Sequence, residues 1–97
     1  MALRVGLTYN VKTDYVFKPG DPTDANAEWD HEDTIRVIER AFRSAGHDPV
    51  RIGNARAVLQ QQDLVKSVDV VFNIAEGEGG RNRESQVPIL LEMLKVP

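Results

Sequence analysis

Val68-Asp69-Val70-Val71-Phe72-Asn73 is β-branched and aromatic, and Ala75-Glu76-Gly77-Glu78-Gly79-Gly80-Arg81-Asn82-Arg83 comes after it, rich in glycine and charge. The first run reads as a strand and the second as a loop. From Glu84 to Leu94 the period changes, and Val87, Leu90, Leu91 and Leu94 fall on one face of a helix. Pro88 fits such a helix only in its first turn, which puts the start near Ser85. The same alternation runs back to the N-terminus. Leu3-Arg4-Val5-Gly6-Leu7-Thr8-Tyr9 is a short apolar-rich run, read as a strand buried on both faces. Asp30 is the expected N-cap of a first helix, with Glu32 and Asp33 at its positive end. Ile35, Ile38, Phe42 and Ala45 share a face, Arg43 lies in the last turn, and Gly46 is the left-handed stop. Pro49-Val50-Arg51-Ile52 is the second strand, closed by Gly53-Asn54. Ala55 to Gln62 reads as a helix with Val58 inward and Leu59 as a further inward candidate.

Strand, helix, strand, helix, strand, helix implies a parallel sheet of three to four strands with helices on both faces. The expected order places the second strand outside the first and the third on its other side. In such a sheet ligands bind at the carboxyl ends of the strands. Two long loops then overhang one crevice: Asn10 to Trp29, punctuated by Pro19, Gly20 and Pro22, and the glycine-rich loop after the third strand. After the third helix an alternating fold expects another strand, so the sequence reads as one domain of a longer protein.

Composition narrows the function classes. The 97 residues are 41% apolar, 28% charged and 6% aromatic, with net charge −3 and no cysteine. This is an ordinary globular composition. It excludes disulfides and thiol chemistry, and the acidic balance argues against nucleic acid as a partner. No apolar run nears the ~18 residues that span a bilayer, and the N-terminus does not read as a signal peptide. The expected setting is cytoplasmic, with no membrane contact. His31 and His47 are too few for a His-rich metal site, and no metal ligand set is expected.

The glycine-rich loop admits three readings. A following helix start with Arg81 and Arg83 suits an anion. Glu76, Glu78 and Glu84 suit a cation such as an ammonium. A solvated surface loop is the third. The dinucleotide fingerprint fails, because Asn82 stands where its last glycine belongs, and a phosphate loop ending in Gly-Lys-Ser/Thr is absent. His31 is either a general base or an exposed residue of the first helical turn. His47 reads as a turn residue, and Trp29 as a staple before Asp30 rather than a stacking platform. No nucleophile–base pair stands at readable spacing, so no catalytic residue is assigned.

Phe72-Asn73-Ile74-Ala75-Glu76-Gly77, then Gly80-Arg81-Asn82-Arg83-Glu84-Ser85-Gln86-Val87-Pro88, Leu90-Leu91-Glu92-Met93-Leu94 and Val96-Pro97 together resemble the N-terminal domain of D-alanine–D-alanine ligases and their ATP-grasp relatives. Val5-Gly6-Leu7-Thr8-Tyr9 and Phe42-Arg43-Ser44-Ala45-Gly46-His47 fit as well. The resemblance implies a Rossmann-like, pre-ATP-grasp three-layer domain. It implies ATP-dependent ligation: one amino acid is phosphorylated on its carboxylate, and the amine of a second attacks the acyl phosphate. ATP and Mg²⁺ then belong to central and C-terminal domains outside this chain, with none expected here, and a homodimer is an expectation for the full-length form. A Glu before the first helix holds the first substrate's ammonium in those ligases; counting back from Ser44-Ala45-Gly46-His47 puts it at Glu28, with Asp30 as the second candidate. Glu76, Arg81, Arg83 and Glu84 complete the expected amino-acid site with both signs of charge. Asn73 stands where the family has a His, Arg83-Glu84 where it has a Glu-Asp pair, and Tyr9-Asn10 where it has Gly-Gly-x-Ser, so a ligase for another amino acid stays open. The alternative is a small flavodoxin-like or receiver-like binding or interaction module without catalysis, although Thr8-Tyr9-Asn10 lacks the acidic cluster of a receiver.

Overall fold

A computed structural model describes residues 2–11, 19–21, 31–76 and 83–97, the last range without the side chain of Arg83. Five apolar-rich residues, Arg4–Thr8, form β1, and Asp48–Gly53 and Val70–Asn73 form β2 and β3. All three are parallel, in the order β2-β1-β3. Val5, Gly6, Leu7 and Thr8 are buried, as a central strand covered on both faces requires. Gly6 lets Ile52 pack close: a Cβ there would stand 2.6 Å from Cδ1 of Ile52, which would have to shift.

Helix α1 (Glu32–Ser44) covers one face, where Ile35 packs with Val5, Leu7, Tyr9 and Val11. Helices α2 (Ala55–Gln60), α3 (Gln62–Lys66) and α4 (Gln86–Met93) lie on the other. There Val58, Val65, Val87 and Leu91 pack with Ile52, Ala55 and Ala75. The chain is thus a three-layer, Rossmann-like α/β domain. Among the described residues no helix is long and apolar enough to cross a membrane.

Several local expectations shift. The N-cap of α1 is His31, not Asp30, and its side chain makes no capping bond. Glu32 and Asp33 do occupy the first turn and Arg43 the last, and Gly46 has φ +86° in the left-handed region. Ala45 lies past the helix end and is exposed. The helix expected over Ala55 to Gln62 breaks at Gln61, whose side-chain amide donates to the Ile52 carbonyl at 3.1 Å, and α3 follows. Leu59 points outward, 53% exposed. Arg83–Ser85 form a 3₁₀ turn that leads into α4, and Pro88 is the third residue of that helix. His47 does more than turn the chain: its Nδ1 accepts from the Leu3 N–H at 3.1 Å. At the far side of β3 the Val71 N–H donates to the Pro97 carbonyl at 2.8 Å.

One charged cluster joins α1 to the sheet. Arg51 on β2 donates to Glu32 and, at 2.6 Å, to Glu39, residues two turns apart on α1. The hydrogen bond from Arg51 holds the Glu39 carboxyl below the usual range, against burial, which raises it. Glu39 in turn, and then Glu32, raise the Arg51 guanidinium further above its ordinary value.

Candidate functional site

The strand order brings the roots of the two long loops to one edge of the sheet, between β1 and β3, where the chain's crossovers diverge. Their roots are bonded to each other. Ile74 N–H donates to the Thr8 carbonyl at 2.9 Å. Ala75 N–H donates to Asn73 Oδ1 at 2.9 Å, and Glu76 N–H donates to Asn10 Oδ1 at 2.7 Å. Thr8 Oγ1 donates to the same Asn73 oxygen at 2.8 Å. Thr8 is 0% and Asn10 1% exposed, so these polar groups lie in the core and need their partners.

Beside this floor a cleft of about 490 Å³ opens between α1 and β3. Thr34 and Ile38 line it from α1, Phe72 and Asn73 from β3, Ile74, Ala75 and Glu76 from the loop root, and Glu84 from the 3₁₀ turn. One wall is apolar and the rim carries two carboxylates. Glu76 is half-buried and Glu84 exposed. A cavity with this lining suits a cation that carries a small apolar body: the carboxylates replace its hydration and the wall covers its carbon.

Of the expected substrate-binding residues, Glu76 and Glu84 therefore meet at one cleft. Arg83 begins the 3₁₀ turn at the same edge, its side chain outside the described residues. Glu28, Asp30 and Arg81 lie outside the described residues, as do Trp29 and Glu78. His31 is exposed at the start of α1. Among the described residues no three His, Asp or Glu side chains converge as a metal site.

A second hollow of about 500 Å³ lies at the β1 and β2 ends, lined by Tyr9, Val11, Glu32, Ile52, Gly53, Asn54 and Ala57. Its one carboxylate, Glu32, is engaged by Arg51, and the Asn54 side-chain oxygen accepts from the Ala57 N–H to cap α2.

Sequence reasoning passed over Thr8, Asn10 and Asn73 as working residues. A signal existed: Thr8 and Asn73 are the polar ends of two apolar strands, and with β1 beside β3 they fall in register. Compared with family models, curated proteins and solved structures, the chain matches none.

Proposed function

We propose that the chain is the amino-acid-binding domain of an ATP-dependent carboxylate–amine ligase of the D-alanine–D-alanine ligase type, acting in the cytoplasm. The cleft receives the ammonium end of the first amino acid. The observation that carries this reading is the meeting of Glu76 and Glu84 on one cleft, against the apolar wall of Ile38, Phe72 and Ile74. The resemblance of Phe72–Gly77, Gly80–Pro88 and Leu90–Leu94 to that family supplies the reaction: ATP activates a carboxylate, and an amine displaces the phosphate. ATP and Mg²⁺ belong, on this proposal, to domains beyond this one, and no residue here is assigned to them. What this chain does is hold and orient an amine-bearing substrate.

The test is an NMR titration of the ¹⁵N-labelled chain with D-alanine, ethylamine and propionate. D-Alanine and ethylamine should shift the Phe72, Glu76 and Glu84 amides, and propionate alone should not. Glu76→Gln should weaken ethylamine about tenfold, equivalent to about 1.4 kcal/mol. Glu84 is exposed, so Glu84→Gln should cost only severalfold. Propionate binding as well as ethylamine, or no response from the cleft, would overturn the reading. One observation favours a non-catalytic interaction module instead: Phe72, in the cleft wall, is 43% exposed. That reading expects a protein partner to shift the same amides while all three small molecules leave them still.

A further inference from the structure

We infer that Asn10 and Asn73 are positioning residues, which set the place of Glu76 in the cleft from the end of β1. The inference rests on the ammonium reading for its function, though not for its geometry. Where β3 ends, three successive backbone amides have separate acceptors. Ile74 N–H goes to the Thr8 carbonyl, Ala75 N–H to Asn73 Oδ1, and Glu76 N–H to Asn10 Oδ1. The Thr8 hydroxyl closes the set on Asn73. All but the local Ala75–Asn73 bond join residues 65 or 66 positions apart in sequence, so the loop's first turn is held from the end of another strand.

The bonding also sorts side chains between faces. Ile74 joins the apolar cluster of the α1 face, Ala75 that of Val87 and Leu91, and Glu76 lines the cleft. With Ala75 buried and its amide bonded, the backbone at Glu76 cannot rotate without breaking both. The backbone from which the Glu76 side chain springs is thereby fixed at the cleft before a ligand arrives, so that less order is lost on binding. An apolar side chain at position 10 would fill the same buried space. It would leave the Glu76 N–H without its acceptor, and the loop root would move to find another.

The experiment is a double-mutant cycle on this chain with ethylamine as probe, read by NMR titration, and with the melting temperature measured alongside. Asn10→Leu should weaken ethylamine five- to tenfold. In a Glu76→Gln background it should weaken it no further, while the melting temperature falls equally in both backgrounds. An equal loss of affinity in both backgrounds would show a merely structural role and overturn the inference. Thr8→Val, close in shape, removes the donor to Asn73 and covers the case in which Asn10→Leu does not fold; it should weaken ethylamine about twofold, again only when Glu76 is present. The geometry is read without any ligand by amide hydrogen exchange. The Glu76 amide should be protected, and Asn10→Leu should speed its exchange at least tenfold while the Val71 amide is unchanged. A wild-type chain that ignores ethylamine sinks the ammonium reading; a Glu76 amide that exchanges freely sinks this one.

Discussion

On the α2–α4 face of the sheet Val58 and Val65 are 0% and Val87 1% exposed, whereas on the α1 face Phe72 of β3 remains 43% exposed. Both faces carry apolar strand residues. They differ in cover. Three helices close the first face with an apolar cluster. A single helix covers the second, held partly by Ile35 and partly by the Arg51 pairs with Glu32 and Glu39, and a cleft opens where that cover stops short of β3. Burial of apolar area dominates folding stability, so the closed face should carry the stability and the open one the contacts with a ligand.

The sharpest way to break this contrast is Leu91→Ala. Leu91 is 7% exposed within the closed cluster. Loss of its side chain should cost about 2–5 kcal/mol and lower the melting temperature by roughly 10 °C or more. The Glu76 and Glu84 amides should respond to ethylamine as before. A cost below about 1 kcal/mol would show a face that collapses around the change, and the assignment of stability to it would fail.

Arg51→Met acts on the open face and should cost less, about 1–2 kcal/mol, because Arg51 is 34% exposed and its pairs are screened by water. The loss should depend on pH with a defined sign. Arg51 holds the Glu39 carboxyl below its ordinary value of 4.5. A carboxyl depressed in the folded state adds stability that is fully present above that ordinary value and disappears as pH falls through the folded one. The gap in melting temperature between wild type and Arg51→Met should therefore be widest near pH 7 and narrow toward about pH 3. A gap constant with pH would assign Arg51 to packing by its stem alone.

The closed face was open to reading from sequence, and the floor of the cleft was not. Val87, Leu90, Leu91 and Leu94 repeat at helical spacing, and Val70-Val71-Phe72 has the composition of a strand, so local pattern suffices for both. Gly46 marks its turn because the left-handed conformation there favours glycine. The alternation of elements implies the parallel sheet, while the order β2-β1-β3 is a common topology that the alternation alone does not dictate. Asn10 and Glu76, by contrast, are 66 residues apart, and a single Asn beyond a strand has no period to reveal it. Asp30 is the better cap by residue type, yet the cap of α1 falls one residue later, at His31. The break at Gln61 depends on the Ile52 carbonyl, a tertiary contact that helix propensity does not see.

The smallest effect on stability belongs to Phe72, and it sharpens the comparison most. Its ring meets Phe42 edge to face, with centroids 5.5 Å apart and planes at 73°. Such a pair adds about 0.5–1.5 kcal/mol beyond its buried area. Phe72 is 43% exposed, and leucine would keep its apolar bulk. Phe72→Leu should therefore cost about 0.5–1 kcal/mol, roughly 2–8 °C of melting temperature. Its effect on the cleft has a different origin. Leucine has no π face, and a cation over an exposed aromatic ring gains about 0.5–1 kcal/mol, so ethylamine should bind about two- to fivefold more weakly. Leu91→Ala thus moves the melting temperature and spares the ligand, while Phe72→Leu moves the ligand and lowers the melting temperature less. If Phe72→Leu lowers the melting temperature as far as Leu91→Ala does, the α1 face is as closed as the other and the cleft is a gap in packing. If it moves neither quantity, Phe72 is an ordinary surface residue, and Glu76 and Glu84 hold the ammonium without it.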